Sequence, residues 1–356
     1  MVTMHDVARE AGVSQASVSF AFNKPENLSS EVRERILEVA RRLNYAGPNP
    51  AARSLRSGRA GTIGLVVNDE LSFAVADPAM SQMLQGIGQV DALASIALTI
   101  LPVPIGGASA EAEGARLVRQ AHVDGFLFEA FPESHPAILA ADARQLPGVF
   151  LGGQAMPLYP SVTIDERAAG YLAAKHILDL GHRNVMILLD RLGRDGAWGP
   201  VSAERRHSAQ RSATSLRLDG YEDAFRAADL PFENVFILEA GGFSAADAYA
   251  GAKALLENFG ESTAVIAVSD TMAMAVVDRA HRMGLSVPED LSVIGFDDIA
   301  MADPLGLTTI HQPTALKGQI AAQRLVDAIA GKDVTSEELP VELIVRATTA
   351  PPGTSL

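Results

Sequence analysis

The chain contains no cysteine among its 356 residues. That excludes disulfides and thiolate metal sites. It has no run of the ~18 uncharged apolar residues that a bilayer-crossing helix needs. Asp6, Arg9 and Glu10 stand where the apolar core of an export signal would be, so a cytoplasmic location and no membrane partner are expected. The glycine-rich dinucleotide fingerprint, the phosphate-binding loop and the H-E-x-x-H zinc pair are missing too. His176 and His182 flank a glycine at a spacing that suits a helix surface and a C-cap better than a metal. No catalytic residue, metal or cofactor is therefore expected, and the chain reads as something other than an enzyme. Basic residues are also in deficit, 29 Lys and Arg against 43 Asp and Glu, for a net charge of −14. Such a balance argues against nucleic acid until it is mapped along the chain. Residues 1–60 hold nine basic and six acidic side chains, net +3, which leaves the remainder at −17. A small basic head on an acidic body suits a DNA reader joined to a sensor, with phosphate confined to one end.

The head reads as short helices. Thr3 caps the first, with Asp6 three residues on, and Val7, Ala8 and Ala11 share an apolar face. Gly12 ends it, as a left-handed C-cap requires. Ser14 caps a second helix in which Val18, Ala21 and Phe22 recur at helical spacing, while Gln15, Ser17 and Ser19 lie on the other face. A narrow hydrogen-bonding face of this kind fits a major groove. Ser29 caps a third helix whose stripe of Val32, Ile36, Val39, Ala40 and Leu43 closes a three-helix core. Its outward arginines, Arg33, Arg35, Arg41 and Arg42, read as solvated surface. Gly47, Pro48 and Pro50 then break the helix and open a linker that runs to residue 61.

From Thr62 short apolar strands alternate with helical patterns. TIGLVV (62–67), SIALTI (95–100), GFLFEA (125–130) and GVFLGG (148–153) form one series of buried parallel strands. NVMILL (184–189), NVFILE (234–239), AVIAVS (264–269) and LSVIGF (291–296) form another, and VELIVRAT (341–348) returns as a last strand. The β-α-β rhythm predicts two doubly wound parallel-sheet subdomains with a cleft at their strand C-termini. Asp270, Asp297, Asp298 and Gln312 follow strands directly, and Arg217 begins a helix. Residues 191–215, rich in Arg, Gly and Ser, read as a long disordered connection or a cover for the cleft.

DVAREAGVS followed by SVS and Asn23, then LNY at 43–45 and ARSLRSG at 52–58, resembles the lactose-repressor/galactose-repressor family of bacterial transcription regulators. The resemblance runs to about Thr349. It implies an N-terminal all-α helix-turn-helix head on a periplasmic-binding-protein-like α/β body. The divisions it suggests are a head over 1–46, a hinge and linker over 47–61, an N-subdomain of 62–162 plus 297–330, a C-subdomain of 163–296 plus 331–349, and a tail over 350–356. The chain would cross between subdomains near 161–165, 295–298 and 330–335. The tail shows no heptads, so a homodimer on a pseudo-palindromic operator is expected.

The same resemblance assigns DNA contacts to His5, Ser14, Gln15, Ala16, Ser17, Ser19, Phe20 and Asn23. It places Leu55 as a wedge in the central minor groove, with Ala52 facing the same groove. Gln15 can pair with adenine and Ala16 can touch only a thymine methyl. Phe20 stands where relatives carry Arg or His, so base readout there shifts to apolar contact or the ring packs. The effector would be a small molecule, such as a sugar, held by Arg217 and Asp297, with Asp270 and Gln312 at the pocket wall and Phe73 and Phe243 as platforms. A guanidinium fork and a carboxylate both bond sugar hydroxyls. The alternative reading of Arg217 and Asp297 is an ion bridge between lobes, or, for Asp297 and Asp298, a turn cap. Leu151-Gly152-Gly153 lacks an aspartate found in some sugar-binding relatives, which weakens the case for a plain hexose. An exported solute-binding protein and an enzyme are the competing functions; the head opposes the first and the missing motifs oppose the second.

Overall fold

The structure is a computed structural model that describes residues 2–47, 58–103, 107–131, 135–153, 157–209 and 211–353. Ala52 and Leu55 lie outside the described residues, and so does the Phe73 side chain. The chain divides into two units at Gly61.

The first unit holds α1 (Met4–Ala11), α2 (Gln15–Asn23) and α3 (Ser30–Arg42). Thr3 and Asp6 cap α1 reciprocally, and Gly12 at φ 65° ends it in the left-handed region. Ser14 and Ser29 accept from backbone N–H groups in the first turns of α2 and α3. The small core comprises Val7, Ala8, Ala11, Val18, Ala21, Ile36, Val39 and Ala40. Phe22 packs against it, edge-on to Tyr45 at 5.9 Å between ring centroids.

The second unit begins with β1 (Thr62–Val67), α4 (Leu71–Ala76), α5 (Pro78–Gly88), β2 (Ala97–Pro102), α6 (Gly107–Gln120), β3 (Phe126–Glu129), α7 (Pro136–Asp142), β4 (Gly148–Leu151) and β5 (Ser161–Ile164). It continues through α8 (Glu166–Asp179), β6 (Val185–Leu189), β7 (Gly199–Pro200), α9 (Ala203–His207), α10 (Ala213–Ala227), β8 (Phe236–Glu239) and α11 (Ala245–Leu256). Then come β9 (Ala264–Ala267), α12 (Asp270–Arg282), β10 (Ser292–Asp297), β11 (Thr308–His311), α13 (Thr314–Ile329), β12 (Glu337–Leu339) and β13 (Glu342–Ile344).

Two sheets result. The first runs β2-β1-β3-β4-β5-β12 and is parallel throughout. The second runs β7-β8-β6-β9-β10-β11-β13, parallel except for its two edge strands. With β7, β12 and β13 left out, the strands of each lobe follow the order 2-1-3-4-5. Each therefore reverses winding beside its first strand, between β1 and β3 and between β6 and β9, where open α/β sheets bind ligands. The central strands β1, β4, β6 and β9 are short and buried on both faces, which is why their sequences are apolar runs, whereas the edge strand β2, expected to be buried, is mostly exposed.

The chain crosses between lobes after Ile164, between His311 and Thr314, and between Leu339 and Glu342. The second and third crossings differ from those expected near 295–298 and 330–335. β11 still belongs to the second sheet, and the short, acidic β12 pairs with β5 at the edge of the first. An edge strand with one buried residue carries no apolar run to reveal it. Over residues 191–209 the connection, expected to be disordered or to cover the cleft, holds β7 and α9 and is fastened to the lobe, with Arg191 at the cavity wall. Arg205 donates to Glu239 at 2.7 and 2.9 Å and also pairs with Asp195.

Close helix packing sets up the cleft. A Cβ on Gly170 of α8 would lie 2.2 Å from the Arg217 carbonyl oxygen, and one on Gly220 of α10 would lie 2.0 Å from that of Arg167. Only glycine lets these two backbones approach, which brings Glu166 against Arg217. Gly86 and Gly318 do the same for α5 and α13 in the other lobe.

Candidate effector cavity and nucleic-acid interface

Between the strand C-termini of the two sheets lies a cavity of about 170 Å³. Both winding reversals feed it: Asn68 after β1 and Glu129 at the end of β3 from one lobe, Asp190 after β6 and Val268 after β9 from the other. Several helix N-termini point at it as well. Asp77 caps α5, Glu166 opens α8, Ser212 caps α10, and Lys317 stands in the first turn of α13. Their backbone dipoles favour negative charge at these ends.

Arg217 is the central cation. Its Nε donates to Glu166 Oε2 at 2.8 Å and a terminal nitrogen donates to the Val268 carbonyl at 2.8 Å. The guanidinium carbon sits 3.5 Å from the centroid of the Phe296 ring. Burial alone would lower its pKa, but Glu166 and Asp297 reverse the shift and raise it. The alternative reading, in which Arg217 pairs with Asp297 as an ion bridge, is not what the structure has: its hydrogen-bonded partner is Glu166. Asp297 accepts instead from Gln312 Nε2 at 2.5 Å, and Gln312 Oε1 accepts from Lys317 Nζ at 2.9 Å. Burial holds the Asp297 carboxyl well above the usual range, against the pull of Arg217. Asp297 and Asp298 have φ of 111° and 55°, two successive non-glycine residues in left-handed space. Such strain persists where surrounding structure enforces it, and it gathers at ligand sites.

The turn that carries this strain is held by Asp298, whose carboxylate meets Arg346 at 2.8 Å and His311 at 3.0 Å. Asp298 is thus held by two side chains rather than by capping the turn, while Asp297 lines the cavity. Burial pushes Glu129 up to about 7, with Lys317 pulling the other way. The lysine itself is lowered by burial, opposed by Glu166.

Of the residues singled out in the sequence, Arg217, Phe243, Asp297 and Gln312 line the cavity. Asp270 does not. It is fully buried behind the wall, accepting from Ile299 N at 2.8 Å and Thr309 Oγ1 at 2.6 Å. Its carboxylate fixes the loop after β10, and burial pushes it up to about 7. Phe73 falls on α4. Sequence reasoning missed Asp77, Glu129, Glu166, Asp190, Arg191 and Lys317, all at the cavity wall. Glu129 and Asp190 had the same signal as Asp297, a carboxylate directly at a strand end. Glu166 and Lys317 had none, because a charged residue in a helical pattern reads as surface.

In the head, His5, Ser14, Gln15, Ala16 and Asn23 are exposed and Phe20 is 36% exposed. Ser17 and Ser19 are half-buried. Ser14 and Ser17 are committed to the cap, with their hydroxyls 2.9 Å apart. Gln15 Nε2 lies 3.1 Å from His5 Nδ1, which ties the outward end of α2 to α1. Asn23 donates to the Ser19 carbonyl at 3.0 Å. The Phe20 ring is not part of the head's core. Arg42 pairs with Glu10 at 2.7 Å, as solvated surface residues do. Among the described residues no helix is long and apolar enough to cross a membrane.

Comparison with known proteins bears on both units. Residues 3–49 match the family of bacterial regulatory proteins of the lacI type, and residues 174–349 match the periplasmic binding protein-like domain. The HTH-type transcriptional regulator IpsA of Corynebacterium glutamicum is 36% identical over 351 residues, covering 98% of each chain. Among solved structures, the lac repressor dimer bound to operator and an anti-inducer aligns with a TM-score of 0.76 at 26% identity, over 98% of this chain and 99% of that one. The complex of the transcriptional regulator CelR with cellobiose aligns at 0.68 and 26% identity, over 98% and 100%. The chain therefore belongs to the lacI family of bacterial regulatory proteins, and is a DNA-binding transcriptional regulator with a helix-turn-helix head and a periplasmic-binding-protein-like body.

Proposed function

We propose that this regulator is a cytoplasmic repressor that binds a pseudo-palindromic operator as a homodimer, and that its operator affinity is set by an uncharged, single-ring polyhydroxylated effector, a sugar or a related metabolite, in the interlobe cavity. The observation that carries the effector class is that each of the three cations at the wall already has a partner. Five carboxylates, Asp77, Glu129, Glu166, Asp190 and Asp297, face three cations, Arg191, Arg217 and Lys317. Arg191 is ion-paired with Asp69, Arg217 with Glu166, and Lys317 donates to Gln312. An anionic effector would have to displace one of these partners. Hydroxyl groups can instead donate to the carboxylates and accept from the amide and the guanidinium groups. Size points the same way. A cavity of roughly 150 Å³ takes one benzene-sized ring, and the cavity here is about 170 Å³. A disaccharide such as the cellobiose of the CelR complex would need the lobes to part further.

Control then follows from differential affinity. An effector shifts operator binding only by as much as it prefers one lobe arrangement over another. A thermal-shift panel tests the class directly. Ligand at ~100-fold its dissociation constant adds about 2.7 kcal/mol to the stability of the folded form. The expected hits are neutral pentoses, hexoses and cyclic polyols, with their phosphates and acids silent. A panel in which only phosphorylated or carboxylated compounds stabilise the chain would overturn the reading.

A further inference from the structure

We propose that Arg191 and Arg194 form a strap that holds the two lobes together over the cavity, so that effector entry and exit require the strap to release. Both arginines follow β6 in the second lobe, and every partner named here that they reach across the cleft belongs to the first. Arg191 pairs with Asp69 at 2.9 Å and donates to the Asn68 carbonyl at 3.0 Å. Arg194 donates to the same carbonyl at 3.1 Å, to the Asn68 side-chain oxygen, and to the Val103 carbonyl at 2.9 Å. Asn68 and Asp69 follow β1 and Val103 follows β2, so the strap grips the C-terminal ends of two neighbouring strands.

The geometry at both ends is fixed. On the first lobe, Asn68 Nδ2 donates to the Ala130 carbonyl at 2.7 Å, which leaves its side-chain oxygen aimed at Arg194. On the second lobe, Leu192 N donates to Glu239 at 2.6 Å, and Arg205 binds the same carboxylate. The Arg191 guanidinium also lies 4.4 Å from the centroid of Phe243. The Arg191–Asp69 pair is about 10% exposed on each side, so salt screens it weakly. Away from the strap and the three crossings, Gln82 donates across the cleft to the Asp298 carbonyl at a longer 3.4 Å. Arg191 lines the cavity, whereas Arg194 acts through Asn68 as a positioning residue. The strap's role as a gate rests on the cavity being the effector site.

The absence of native cysteine allows a clean distance measurement. Arg119→Cys on α6 and Ala250→Cys on α11 place one spin label on each lobe at exposed positions. The full chain, diluted with unlabelled chain so that each measured pair lies within one molecule, is examined by pulsed dipolar spectroscopy without ligand. The expected result is one short interlobe distance for the parent, and a second, longer population holding at least a third of molecules for Arg194→Ala. Arg194→Lys, which keeps charge but loses the fork, should fall between them. It also serves where the alanine variant unfolds, as judged by circular dichroism. Identical distributions in the parent and the folded variants, or a parent already mostly at the longer distance, would overturn the proposal. No effector is added, so this outcome is separate from that of the ligand panel.

Discussion

Replacing Glu166 with alanine isolates the interaction on which the cavity is built. The variant leaves the Arg217 guanidinium buried without its hydrogen-bonded carboxylate. Breaking a buried ion pair by removing one partner typically costs about 3–5 kcal/mol, because an uncompensated charge remains. Arg217 keeps its bond to the Val268 carbonyl and its seat over the Phe296 ring, and Asp297 remains near, which together favour the lower end. A loss of about 3 kcal/mol in a body of this size lowers its melting temperature by roughly 6–12 °C. Urea unfolding of the full chain, followed by circular dichroism, reads the change. The double variant Glu166→Gln/Arg217→Met, which removes both charges at similar volume, should recover most of the loss. A cost below about 1 kcal/mol for Glu166→Ala, the level of exposed pairs, would refute the argument that this bridge is desolvated and central.

Two further outcomes follow from the site geometry. Asp270 and Glu129 have folded pKa values near 7, above their ordinary values, so each favours folding fully only at low pH. That stability is lost as pH rises toward 7, at about 1.4 kcal/mol per pH unit for each group. Asp270→Asn, whose amide oxygen can accept from Ile299 N while its NH2 donates to the Thr309 hydroxyl, should flatten the decline between pH 5 and 7 by about that slope; parallel stability curves would show that Asp270 does not titrate there. In the head, Gln15→Ala should cost about 1–3 kcal/mol of discrimination at one base pair per half-site in an in-vitro selection from random duplexes. His5→Ala, which frees Gln15 from its neighbour at 3.1 Å, should blur the same position. An unchanged selected sequence in both variants would remove Gln15 from base readout.

What the sequence revealed depended on whether a signal is local. Thr3, Ser14 and Ser29 cap helices through hydrogen bonds three residues long, so spacing alone disclosed the head. β1 was found to the residue because a doubly covered parallel strand must be an apolar run bounded by polar residues. Arg217, Asp297 and Gln312 were found as polar groups at element ends. Asp270 has the same local signature, yet its carboxylate turns inward to Thr309 and Ile299, a direction that only packing decides. Glu166 and Lys317 escaped notice because their partners lie 51 and five residues away, across a helix pair and around a turn. The fastening of 191–209 was hidden for a similar reason. Its arginines have no local partner in the sequence; Glu239, Asp69 and Asn68 are brought to them by the folds of two sheets.

Coupling between cavity and head is the central claim, and fluorescence anisotropy on an operator selected in vitro tests it most directly. With the stabilising polyol found in the ligand panel, the parent chain should change its operator affinity by at least tenfold. Arg217→Lys should bind the bare operator as the parent does and respond to the polyol little or not at all. A parent whose operator affinity ignores every ligand that stabilises its body, or an Arg217→Lys chain that responds in full, would contradict the account.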